Sequence, residues 1–137
     1  MVKIIAGGKG TGKTKAMIDM ANQLATNGKG HVVFIDDDNR HIYDLKHAVR
    51  FICTKEYPIK SAESFLGFLC GIISEDHDIE AIYIDGITKI VDVDCSDLPN
   101  LVKELKAFAE QFQIDFIVSV NCEVEKLPEE LKEYAVA

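Results

Sequence analysis

Eight residues near the amino end, Gly7-Gly8-Lys9-Gly10-Thr11-Gly12-Lys13-Thr14, follow the pattern G-x-x-x-x-G-K-S/T without a mismatch. These residue types at this spacing can hold a chain of phosphates. Glycines let the main chain take left-handed conformations and curl around anionic oxygens. The N–H groups exposed in this way form an anion nest, backed by the positive end of the helix that follows. Lys13 is then placed to reach the β- and γ-phosphates of a nucleoside triphosphate, and the Thr14 hydroxyl to ligate Mg²⁺. Lys9, inside the loop, reads as a solvated residue that adds positive potential. At average residue frequencies a chain of this length matches the pattern by chance roughly once in a few hundred cases. The context also agrees: a β-prone run, Val2–Ala6, precedes the loop and an amphipathic stretch follows it.

A second acidic position completes such a site. Ala81-Ile82-Tyr83-Ile84-Asp85 is an apolar run that ends in a carboxylate, the Walker B pattern. Asp85 is expected to hold Mg²⁺ through water, on a strand beside the one that leads into the loop. Gly86 follows, where many ATPases place a catalytic Glu, so hydrolysis needs a carboxylate from elsewhere.

The segments between these motifs resemble the RecA-like ATPases. Phe34-Ile35-Asp36-Asp37-Asp38 resembles the stretch of that family in which a strand ends and, a few residues on, a Glu polarises the attacking water; Asp38 is the matching position. Asp85-Gly86-Ile87-Thr88 resembles the family's Asp-Ser-hydrophobic-Thr sequence. Val118-Ser119-Val120-Asn121 resembles the strand whose polar end senses the γ-phosphate, which makes Asn121 a second catalytic candidate. The resemblance covers roughly residues 2–121, and only the glycine-rich motif in it is highly specific. It implies a three-layer P-loop NTPase fold with a mostly parallel central sheet flanked by helices. It further implies ATP and Mg²⁺ as cofactors and, at most, slow hydrolysis. Recombination does not carry over, because the chain is small and lacks long glycine-rich DNA-binding loops. Read without the family, Asp36–Asp38 is a solvated acidic turn and Asn121 a strand-end residue.

The elements that must position these residues follow from periodicity. Strands are expected at Val2–Ala6, His31–Asp36, Val49–Thr54, Ala81–Asp85 and Ile114–Val120, apolar throughout, as in a parallel sheet covered on both faces. Helices are expected at Lys13–Thr26, at Ser61–Ser74, from an Asp97 cap through Phe112, and briefly at Pro128–Tyr134. The third helix is expected to turn Leu98, Leu101, Leu105, Phe108 and Phe112 inward. In such sheets ligands bind beyond the carboxyl ends of the strands, and every polar residue singled out above follows a strand.

Bulk properties bound the function. A chain of 137 residues, 47% hydrophobic and 28% charged, suits a single domain over 1–137. A net charge of −8 makes it a poor ligand for nucleic acid by itself. Cys53, Cys70, Cys95 and Cys122 form no C-x-x-C pair and read as reduced thiols. The amino end has no signal-peptide core, and the longest apolar run, Phe65–Ile73, is too short for a bilayer. A soluble, cytoplasmic protein is expected.

Three functions fit these residues. The favoured one is an ATP·Mg²⁺-binding switch or regulator with weak hydrolysis or none, read by a protein partner. A subunit of an oligomeric motor or assembly ATPase would need a finger residue from a neighbour; Arg40, Arg50 and Lys89 are candidates. A small-molecule kinase fits less well, since Arg40 and Arg50 are the only arginines. ATP is preferred to GTP on the resemblance and on the lack of an Asn-Lys-x-Asp motif.

Overall fold

A computed structural model describes residues 1–136. Five strands, β1 (Val2–Ala6), β2 (His31–Asp36), β3 (Val49–Cys53), β4 (Ile79–Ile84) and β5 (Asp115–Val120), form one sheet in the order β1-β5-β4-β2-β3. Every pairing in it is parallel. The crossovers are carried by α1 (Lys13–Asn27), α2 (Ala62–Glu75), the single turn α3 (Ile87–Ile90) and α4 (Leu98–Phe112).

The alternation along each strand divides the core into two halves. Val33, Ile35, Ile82, Ile84, Phe116 and Val118 face α2 and α4, whose Phe65, Leu69, Leu101 and Leu105 are fully or almost fully buried. Val32, Phe34, Ala81, Tyr83 and Ile117 face the other way and pack on Met17, Ile18 and Ala21 of α1. The result is a three-layer α/β arrangement, helix on sheet on helix. Strands buried on both faces read as continuous apolar runs, which is why periodicity located them so closely.

Three local expectations need correction. The strand of Asp85 does not lie beside β1, because β5 is inserted between β1 and β4. Asp97 makes no side-chain cap; Cys95–Asp97 forms a short 3-10 turn that runs directly into α4. Phe112 is exposed, and α4 instead buries Val102 and Ala109. Phe108 and Phe112 meet edge to face near the surface, with ring centroids 5.9 Å apart. The terminal segment Glu129–Tyr134 is a 3-10 helix whose Leu131 is buried. Among the described residues no helix is long and apolar enough to cross a membrane.

Candidate functional site

The carboxyl ends of all five strands lie along one edge of the sheet, and α1 begins there. Gly10 and Gly12 take φ of 81° and 86°, the left-handed region that costs a side chain about 1–2 kcal/mol. Gly12 is the residue before the first turn of α1. That turn has no side-chain cap and no acidic residue. A helix start normally satisfies its first N–H groups with Ser, Thr, Asp or Asn. Here the positive end of a 15-residue helix is left to a glycine loop.

The loop is held by its own side chains. The Thr11 hydroxyl and Lys13 Nζ both donate to the Gly8 carbonyl, each at 2.8 Å. Beside the loop opens a cleft of about 320 Å³. Lys9, Gly10, Gly12, Lys13 and Thr14 form its loop side, and Asp85, Gly86, Lys89 and Asn121 its floor and far wall. The strand end of β2 adds Asp36 and Asp37, and the segment after it adds Arg40 and His41. Gly7 and Thr11 face a shallower hollow on the other side of the loop, against Ala16 and Met20.

The floor is a connected polar network. Thr14 Oγ1 donates to Asp85 Oδ2 at 2.8 Å, and Ser119 Oγ donates to Asp85 Oδ1 at 2.6 Å. The Gly86 N–H in turn donates to Ser119 Oγ at 2.8 Å, and the Asp85 N–H to the Ile35 carbonyl at 2.8 Å. Asp85 is thereby fixed from α1, β5 and β2 at once. Gly86 has φ 74°, so the residue after Asp85 sits in a left-handed turn that favours glycine. This turn is why glycine, and no side chain, follows Asp85.

Electrostatics set the acids and bases of the cleft apart. Burial, the nearby Asp85 charge and a hydrogen bond to the Asp37 side chain push the Asp36 carboxyl up to about 7. Burial also holds the Lys13 ammonium below the usual lysine range; Asp85 opposes that shift and Lys89 adds to it. Thr14 and Asp85 supply a hydroxyl and a carboxylate, the hard oxygen donors that suit Mg²⁺.

The structure thus brings Lys13, Thr14, Asp85 and Asn121 to one cleft. Asp38 is not on its wall. Its carboxylate accepts from the Arg40 main-chain N–H and from Arg40 Nε, both at 3.0 Å. The end of the strand explains the difference: β2 stops at Asp36, and the chain bends over the next two residues, so the alternation that would have set Asp38 beside Asp36 is lost. Of the finger candidates, Arg40 and Lys89 line the cleft of their own chain, whereas Arg50 lies on β3 near Glu75, 3.9 Å away. Two residues of the site carried little signal in the sequence. Asp36 was one of three acids in a row, and Ser119 was the one polar residue inside an apolar strand, a position that in retrospect marks a buried partner. No family model matches the chain, and no curated protein matches it.

Proposed function

We propose that this chain binds ATP with Mg²⁺ through Gly7–Thr14 and works as a nucleotide-dependent switch or regulator, with weak hydrolysis or none. In this reading the three-layer arrangement is a P-loop NTPase fold with a RecA-like core. The observation that carries it is the 2.8 Å contact between Thr14 and Asp85. The last residue of the glycine-rich motif and the acid of the second motif are far apart in sequence, and the fold sets them side by side at an uncapped helix start.

The roles follow from the geometry. The loop amides and the end of α1 bind phosphate oxygens. Lys13 exchanges the Gly8 carbonyl for a phosphate oxygen. Thr14 and Asp85 would hold Mg²⁺, with Ser119 keeping the Asp85 carboxylate in orientation; the metal would neutralise phosphate charge. Asn121 stands at the end of β5 where a terminal phosphate can be sensed. Gly86 removes the usual base, which supports binding over turnover. Nucleotide would order the segment after Asp36 and the one after Gly86, and a partner would read that order.

Release of phosphate from ATP and Mg²⁺ at rising protein concentration tests the division between functions. The switch reading predicts little or no turnover at any concentration, with ATP still bound. Turnover that rises faster than protein concentration would favour a subunit of an oligomeric ATPase.

A further inference from the structure

We infer that Arg40 is a cis-acting cation for the terminal phosphate of the bound nucleotide, and that Asp38 is the residue that positions it. This rests on the nucleotide-binding reading above and assigns how the same site would tell a triphosphate from a diphosphate.

The Asp38 carboxylate grips Arg40 at two points, Oδ1 on the main-chain N–H and Oδ2 on Nε. The first bond fixes the turn of the chain and the second fixes the side chain that leaves it. A guanidinium has five N–H donors in a planar fork. The two terminal nitrogens make no hydrogen bond among the described residues, and Arg40 is part of the wall of the cleft that also holds Lys13, Thr14 and Asp85. A rotamer-rich side chain costs entropy to immobilise, and the bond from Nε to Asp38 removes part of that cost before any ligand arrives.

Charge explains why a further cation is useful here. Asp36, Asp37 and Asp85 face the same space, so a triphosphate held by the loop and Lys13 would still meet a carboxylate-lined wall on the β2 side. Arg40 stands after β2, on the side of those carboxylates, and its planar fork suits bidentate contact with phosphate oxygens. Lys89, one turn after Asp85, adds a point charge. No neighbour need supply the finger.

The test is calorimetric titration of the full chain with ATP and with ADP, each with Mg²⁺, for wild type, Arg40→Ala, Arg40→Lys, Asp38→Asn and Asp38→Glu. A charged hydrogen bond to the terminal phosphate predicts that Arg40→Ala lowers ATP affinity about 10- to 100-fold relative to ADP. Arg40→Lys, which lacks the fork, recovers only part of that preference. Asp38→Asn loses preference in the same direction by a smaller factor, and Asp38→Glu restores part of it. A merely structural role for Asp38 would weaken ATP and ADP equally. An unchanged ATP-to-ADP ratio in Arg40→Ala would overturn the assignment while leaving nucleotide binding intact. Failure of wild type to bind either nucleotide would overturn the underlying reading instead.

Discussion

Thr14 and Asp85 meet at 2.8 Å across the first turn of α1 and the end of β4, the hydroxyl donating to a carboxylate oxygen. Both atoms belong to the donor class that Mg²⁺ takes. Replacing Asp85 by Asn keeps the shape and removes the charge. ATP affinity measured with Mg²⁺ is expected to fall by at least about tenfold, the effect of losing one charged contact, and affinity in EDTA to change little. Equal losses in both conditions would remove Asp85 from the metal site.

Ser119 holds that carboxylate from the inserted strand β5. It is buried, and its hydroxyl both donates to Asp85 and accepts from the Gly86 N–H. Ser119→Ala removes the buried partner of the Gly86 N–H and of Asp85 Oδ1, while Thr14 still donates to Asp85 Oδ2, a loss of about 1–3 kcal/mol. Urea unfolding should show it as a lower midpoint. A variant as stable as wild type would mean that Asp85 and Gly86 find other partners.

Gly86 is a conformational requirement. At φ 74° any L side chain is strained, so Gly86→Ala is expected to cost about 1–2 kcal/mol. A Glu introduced there should destabilise by a similar amount and create no efficient ATPase. Thermal unfolding and phosphate release on the two variants check both halves.

Asp36 makes stability depend on pH. Its folded carboxyl titrates at about 7, above its unfolded value of about 3.9. The folded state therefore holds a proton that the unfolded state has lost, and stability falls as pH rises between these values. Asp36→Asn removes this penalty. In metal-free buffer the variant should gain little at pH 4, gain more toward pH 7, and level off above it. A gain that is constant with pH would show that Asp36 carries no such shift.

What the sequence made legible follows from range. Buried parallel strands are apolar runs, so His31–Asp36 emerged at its full length and Val49–Thr54 within one residue. The glycine loop announces itself through its run of glycines, two of which take the left-handed conformations that a side chain disfavours. Long-range order does not: nothing local to Ile114–Val120 says that this last strand slots between β1 and β4 and carries the partner of Asp85. Asp36 and Asp38 differ by two residues in a run of acids, and only the point at which β2 stops separates the one in the cleft from the one that grips Arg40. In α4 the small residues Val102 and Ala109 took the buried face, and the bulk of Phe112 was the misleading signal.

Nucleotide binding at Gly7–Thr14 is decided by calorimetric titration of ATP with Mg²⁺ into wild type and Lys13→Ala. Lys13 contributes a hydrogen bond to the loop and no core packing, so circular dichroism of the variant should match wild type. A phosphate-binding loop predicts saturable binding to wild type and a loss of at least about tenfold in the folded variant, the scale of one charged hydrogen bond to phosphate. Equal affinity in the two proteins would contradict it.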